Sequence, residues 1–266
     1  MNYDEFIRGT LPLIGYNWIR YRKPLIRRRL SKRISSLNIC SWEQYSQLLL
    51  RSPNEQRHLH ALLGITISRF WRNESIFHAL ETDIIPSIVH DIRPEEYLDV
   101  WCVGAASGQE ALSLSMLLSK AGVLNGQMIR SRIIASDIDQ SALRRGSTNR
   151  WEGSEFRSTP PGIRTQFKYS LDGRTFSLPT DLFETVLFIC HDFFDDPPVS
   201  NAHLVFCRNS VLTYTAGHER ERIIRSIASV LPRGGCLVIG RKEQLPKKWT
   251  AQMGLIPLGR RIYKRS

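Results

Sequence analysis

The chain has 266 residues, 42% of them hydrophobic, enough for one large core and a small satellite domain. Its formal net charge of +12 implies an acidic partner, whether nucleic acid, an anionic membrane surface or a carboxylate-rich protein. The five cysteines are scattered and never spaced as CxxC, which argues against a disulfide framework. Cys102, Cys190 and Cys207 stand in apolar strand-like runs and are expected as buried thiols. No signal peptide opens the chain and no apolar run approaches the ~18 residues of a membrane span, so a soluble cytoplasmic protein is expected.

From the N-terminus, Tyr3 to Gly15 carries Phe6, Ile7, Leu11 and Ile14 at helical spacing. In the next stretch, RYRKPLIRRRLSKRISSL, Ile26, Leu30, Ile34 and Leu37 form an apolar stripe. Arg22, Lys23, Arg27, Arg28, Arg29, Lys32 and Arg33 fill the other faces. A solvated helix face is the ordinary reading of such a run. Seven cations on one short helix with no interleaved acid exceed what solubility requires, and an anion-recognising surface is the competing reading. Ser41-x-x-Gln44 and Ser52-Pro53-Asn54-Glu55 are capping boxes that open two further helices. Thr66 to Glu74 then leads into a helix over SIFHALETDIIPSIV. Within it Phe70 and Trp71 read as core residues, and Arg72 as a surface charge or a carboxylate clamp.

The chain is organised around Leu98–Ser113, LDVWCVGAASGQEALS. Leu98, Val100, Trp101 and Val103 predict a short buried strand, followed by the small-residue turn Gly104-Ala105-Ala106-Ser107-Gly108 and a helix from about Gln109. A strand, such a turn and a helix form the first half of a nucleotide-binding unit, where absent side chains admit a ligand to the backbone. The turn is GxxxG, a pattern shared with proteins that bind no nucleotide, and Ser107-x-x-Glu110 also reads as a capping box. A second strand, Arg132–Ser136, ends in Asp137-Ile138-Asp139, which puts a carboxylate where doubly wound folds hold ribose hydroxyls. The longer spacing from Gly108 departs from the dinucleotide fingerprint and suits an adenosine ligand without a pyrophosphate.

After Asp139 a helix over QSALRRGSTNRW is expected, then two short antiparallel strands, FKYSL and RTFSL, around Asp172-Gly173. The strand–helix rhythm resumes with ETVLFICHDFF, ending in His191-Asp192, and HLVFCRNS, ending in Arg208-Asn209. The helix HERERIIRSIASVL and the strand CLVIG follow. Polar residues thus gather at the C-terminal ends of successive strands. The expected fold is α/β: a doubly wound, mostly parallel sheet over residues 73–266 with a β insertion at 159–180, preceded by a basic helical domain over 1–72.

Four motifs in order, Ser68-Arg-Phe-Trp-Arg72, Gly104-Ala-Ala-Ser-Gly-Gln-Glu110 with Ser113-Leu114, Ser136-Asp-Ile-Asp139 and Phe206-Cys-Arg-Asn209, resemble the signature set of the CheR-type chemotaxis receptor methyltransferases. The likeness runs from about residue 15 to 245. It implies a class I methyltransferase fold, S-adenosylmethionine as cofactor and O-methylation of glutamates on chemoreceptor cytoplasmic helices. It further implies that Thr66 and Ser68 contact the cofactor, with Gly104 and Gly108 in its loop. Glu110 would face its cationic methionine end, Arg72 would hold its carboxylate and position it for transfer, and Asp137 would take the ribose. Asp192, Phe193, Arg208 and Asn209 would border the adenine and the sulfonium. Arg22, Arg27, Arg28, Arg29, Lys32 and Arg33 would meet the acidic substrate. No metal is expected. The chain departs from the family at Gln109, Ala111-Leu112, Thr213-Tyr214 and Arg241-Lys242-Glu243.

Three other readings compete. A nucleic-acid methyltransferase would use the charge, but Asp195-Asp196-Pro197-Pro198 precedes the strand that a DPPY motif should follow, and reads as a turn. The others are a relative redirected to another carboxylate and a non-catalytic cofactor-binding module.

Overall fold

The computed structural model describes residues 1–14, 23–63, 69–93, 96–124, 130–170, 173–215 and 217–266. By its internal contacts the chain divides into two compact units, Met1–Ile65 with Leu212–Arg220, and Thr66–Val211 with Glu221–Ser266.

The first unit is built on helices α1 (Tyr3–Gly9), α2 (Lys23–Ser36), α3 (Trp42–Arg51) and α4 (Pro53–Leu63). Their apolar stripes meet in one core that includes Phe6, Ile7, Leu11, Tyr45, Leu49 and Leu59, and the stripe of α2 enters it as Ile26, Leu30 and Ile34. The first helix is shorter than its apolar spacing predicts. It stops at Gly9, and a 3₁₀ turn follows over Pro12–Ile14, because Pro12 has no N–H for the carbonyl four residues back and its ring crowds that group. Ser41 and Ser52 cap α3 and α4, accepting the N–H of Gln44 and of Glu55, each at 3.2 Å. Neither box closes as predicted: Gln44 accepts from the N–H of Cys40, and the Glu55 carboxylate is drawn to Arg33 and Tyr45.

The second unit begins with α5 (Glu74–Ala79) and α6 (Ile85–Asp91), joined by a π-helical turn over Leu80–Ile84. One unbroken helix was expected there; Pro86 cannot donate into the ladder, and the wider turn just before it accommodates the loss. Then come β1 (Leu98–Val103), α7 (Gln109–Leu124), β2 (Ser131–Asp137), α8 (Gln140–Gly146), β3 (Trp151–Glu152), α9 (Pro161–Arg164), β4 (Lys168–Tyr169), β5 (Thr175–Ser177), α10 (Thr180–Phe183), β6 (Val186–Cys190) and β7 (Leu204–Cys207). The chain continues through α11 (Val211–Tyr214), α12 (Gly217–Ser229), β8 (Cys236–Ile239), α13 (Lys247–Gln252), β9 (Leu255–Gly259) and β10 (Ile262–Arg265).

Seven strands form a doubly wound, mostly parallel sheet in the order β6-β2-β1-β7-β8-β10-β9, with β10 antiparallel to both its neighbours. From β1 the chain winds outward to β2 and β6, and from β7 outward to β8, so the winding reverses between β1 and β7. Ligands of open α/β sheets bind at the carboxyl ends of the strands at such a reversal. Helix α7 is buried on nearly every face by Ala111, Leu112, Leu114, Met116, Leu117 and Leu118, which makes it the rigid mount for the loop at its start.

The insertion begins earlier than the sequence suggests. Helix α8 ends at Gly146 rather than running to Trp151, and β3 joins β5 and β4 in a three-stranded antiparallel sheet. Asn149 stops the helix: it sits left-handed (φ 51°) and its side chain clamps both the N–H and the carbonyl of Leu178, each at 2.9 Å. Phe70 inserts between this sheet and its supports, stacked on Phe156 at 4.6 Å and edge-on to Trp151 and Phe167. That packing ties Phe70 to the three-stranded sheet. The turn residue Asp172 lies outside the described residues. Cys102 and Cys207 are buried, as is Cys236, whereas Cys190 is exposed because it ends the edge strand β6.

Candidate active site

Three backbone positions in the turn after β1 are left-handed: Gly104 (φ 67°), Ala106 (φ 52°) and Gly108 (φ 88°). Side chains are excluded at both glycines, since a Cβ on Gly104 would strike Ser210 and one on Gly108 the ring of Phe188. Ala106 has a Cβ and adopts αL at a cost of about 1–2 kcal/mol. Asp137, at the end of β2, offsets that cost: its carboxylate accepts the Ala106 N–H at 2.8 Å and the Asp139 N–H at 2.9 Å. Burial pushes the Asp137 carboxyl above the ordinary carboxylate value, and the N–H donors of Asp139 and Ala106 pull it back down. Asp137 therefore fixes the conformation of the loop. Asp139 turns the other way and caps α8.

Glu110 does not cap its own helix. Its carboxylate, 15% exposed, accepts a hydrogen bond at 2.8 Å from Nη1 of Arg208, whose side chain is fully buried. The same Nη1 reaches the carbonyl oxygen of Arg72 at 3.1 Å. Arg72 is held from behind, because the Trp71 N–H donates to Ser113 of α7 at 3.0 Å. Burial raises the Glu110 pKa, against the lowering influence of Arg208 and Arg72. Nε and Nη2 of Arg208 are buried and have no partner among the described residues. Two unpartnered donors on one buried cation leave room for an acceptor that the described residues do not supply.

The turn after β7 is fixed by a residue that sequence reasoning registered only as a departure. Glu243 is buried, and its Oε2 accepts the N–H of Gly240 at 2.6 Å and of Asn209 at 3.1 Å, pinning the ends of β7 and β8 together. It also adds a like charge that helps to raise Glu110. Asn209 takes the left-handed conformation (φ 52°) that this pinned turn demands. Arg208 thereby reaches the interior as the partner of Glu110. At the end of β6, Asp192 accepts the Phe194 N–H at 3.0 Å, and Phe193 rests on Phe194 with centroids 4.6 Å apart. Asp195-Asp196-Pro197-Pro198 is a turn, closed by the Asp195 N–H on the Asp192 carbonyl at 2.9 Å.

Residues 66–258 match the S-adenosylmethionine-binding domain of the CheR methyltransferases, and residues 3–63 match their all-α domain. The chain belongs to the CheR methyltransferase family. It is 24% identical over 265 residues to a chemotaxis protein methyltransferase of Listeria monocytogenes, covering 98% of this chain and 96% of that one. It is 25% identical over 229 residues to an uncharacterised 104.1 kDa protein of Rhodobacter capsulatus, covering 86% of this chain and 24% of that protein's length. Among solved structures, the citrinin polyketide synthase CMeT domain aligns over 83% of this chain and 59% of its own, with 16% identity and a TM-score of 0.47. The protein is a methyltransferase whose cofactor is S-adenosylmethionine. The site suits that ligand's zwitterionic end: Arg208 has two donors unpartnered among the described residues for a carboxylate, and Glu110 is a buried carboxylate for an ammonium.

Of the predicted site residues, Arg72, Glu110 and Arg208 form one connected cluster, with Gly104, Gly108 and Asp137 in the adjoining loop. Thr66 and Ser68 lie outside the described residues, as does Arg22. In the first unit, Arg27, Arg28 and Lys32 are exposed on α2. Arg29 is half-buried, donating to the Tyr214 hydroxyl at 3.2 Å with its guanidinium 5.4 Å from that ring. Arg33 is instead engaged by Glu55, which takes its Nε and Nη2 at 3.0 and 2.7 Å. No group of side chains among the described residues is arranged to hold a metal, and no described helix is long and apolar enough to cross a membrane.

Proposed function

We propose that this methyltransferase esterifies glutamate side chains on an acidic helical surface, the cytoplasmic methylation helices of a chemoreceptor. The observation that carries the reading is the buried Arg208–Glu110 pair with its orphaned donors at the reversal of the sheet. Bound there, S-adenosylmethionine supplies an electrophilic methyl group on a sulfonium. Arg208 and Arg72 would hold its carboxylate, Glu110 its ammonium and Asp137 its ribose, while Asp192 and Phe193 would border the adenine. A glutamate acceptor is already ionised at neutral pH, so the protein needs to remove no proton and its work is positioning and exclusion of water. The exposed cations Arg27, Arg28 and Lys32 of α2 support an acidic acceptor.

The test is transfer of labelled methyl to a purified chemoreceptor cytoplasmic fragment. The expected product is a base-labile ester that releases methanol in mild alkali. Base-stable label would mean N-methylation, and transfer to a different acidic protein would mean a redirected acceptor.

A further inference from the structure

The hairpin that ends the sheet carries a second cationic site. Its two turn residues, Arg260 (φ 48°) and Arg261 (φ 67°), are both left-handed. Two-residue hairpins of this geometry favour Asn-Gly or Asp-Gly, since each Cβ is strained there. The sequence nevertheless keeps two arginines, and both line a cavity of about 390 Å³. Arg241, Asn73, Ser75 and Tyr263 line it beside them, and no lining residue is acidic. Nε of Arg261 donates to the Arg241 carbonyl at 3.2 Å, which fixes that guanidinium, while Arg241 and Arg260 are exposed and have no acidic partner among the described residues. The nearby Glu243 faces inward, bound to Gly240 and Asn209. The Ile239 N–H donates to the Arg261 carbonyl at 3.0 Å, so the turn stands at the carboxyl end of β8, the edge of the sheet that carries the Gly104 loop and Arg208. Asn73, which also lines the cavity, directly follows Arg72 in the chain.

We propose that this cavity docks a carboxylate-rich segment of the methyl-accepting protein, next to its acceptor glutamate. The proposal rests on the reading of the acceptor as an acidic protein. Guanidinium groups pair with carboxylates in a planar fork, which three neighbouring arginines can offer to successive acidic side chains. Single-stranded nucleic acid would need exposed aromatic platforms for its bases, and the tyrosine here is buried.

The test uses the full chain and the triple variant Arg241→Ser, Arg260→Asn, Arg261→Gly. Asn-Gly suits the turn better than the native pair, so thermal stability should hold or rise and S-adenosylhomocysteine affinity should not change. Binding of a fluorescein-labelled glutamate-rich helical peptide, followed by anisotropy at low salt, should weaken about tenfold in the variant. Peptide affinity within about twofold of the parent overturns the proposal. Tighter binding of a single-stranded oligonucleotide that the variant abolishes overturns it too. The readout involves no methyl transfer, which separates the two readings. Absence of any ester product defeats the proposed reaction but not the docking, and ester formation with unchanged peptide affinity defeats the docking alone.

Discussion

Glu55 and Glu110 each stand three residues after a serine, at the start of a helix, and each is taken by an arginine distant in sequence. Their surroundings differ in what remains unsatisfied. Glu55 receives Nε and Nη2 of Arg33 at 3.0 and 2.7 Å and the hydroxyl of Tyr45 at 2.9 Å. Burial pushes its pKa up, but those donors outweigh it and hold the carboxyl below its ordinary value. Glu110 receives Nη1 of Arg208 at 2.8 Å, from an arginine that is itself buried with two donors unpartnered among the described residues, and burial keeps its pKa high. The Arg33–Glu55 pair is saturated within the bundle, whereas the Arg208–Glu110 pair keeps hydrogen-bonding capacity to spare, as the proposed cofactor site requires.

The largest expected effect comes from breaking each pair at its cation. Arg208→Met strands the Glu110 carboxylate in the interior and should cost about 3–5 kcal/mol in urea unfolding, with loss of cofactor binding. Arg33→Met, at a pair whose arginine is 21% exposed, should cost less, about 1–3 kcal/mol, and leave S-adenosylhomocysteine affinity unchanged. Equal costs, or a loss of cofactor binding in the Arg33 variant, would remove the distinction. Removing the anions sharpens it. Glu110→Gln is close in shape, and calorimetric titration should show S-adenosylhomocysteine affinity down about a hundredfold, while Glu55→Gln stays within about twofold. Smaller again is Asp137→Ala, which frees the Ala106 and Asp139 amides. We expect about tenfold weaker binding, about 1–2 kcal/mol of lost stability and faster hydrogen exchange at Ala106. Unchanged exchange there would mean that the loop keeps its left-handed residue without the carboxylate.

The serine caps, the apolar stripe of α2 and the strand–turn–helix at Leu98–Ser113 were legible because they are local: spacing and capping chemistry within a few residues decide them. The destination of the third residue in each box was not. Ser52-x-x-Glu55 and Ser107-x-x-Glu110 have the same form as Ser41-x-x-Gln44, and only the fold brings Arg33 and Arg208 within reach, 22 and 98 residues away in sequence. The helix predicted to run through Trp151 failed for a related reason, since Asn149 is stopped by Leu178, 29 residues on. The terminal hairpin escaped notice because Arg260-Arg261 is a poor turn sequence, and its strands were therefore unmarked. Glu243 gave a sequence signal, an acid three residues after the glycine that closes a strand, but its role depends on Asn209 coming alongside.

The finest form of the comparison is a difference in sign. With Glu55 held low, the unfolded chain binds more protons than the folded one between the folded value and the ordinary carboxylate value near 4.3. Its contribution is complete above that range and is lost as pH falls through the folded value. With Glu110 held high, the folded chain binds more protons above the ordinary value, so its contribution shrinks as pH rises toward neutrality. Stability measured against Glu55→Gln should therefore decline on acidification below about pH 4.3, and stability measured against Glu110→Gln should grow as pH falls from neutrality towards that point. Parallel slopes would place the two carboxylates in equivalent environments. Cofactor binding then offers a direct readout of the second one. An ammonium brought against Glu110 favours its charged form, so titration of S-adenosylhomocysteine in buffers of different ionisation enthalpy should show proton release from the parent above the ordinary carboxylate value. The Glu110→Gln variant should show none, and equal release from both would move the proton, and the ammonium, to another group.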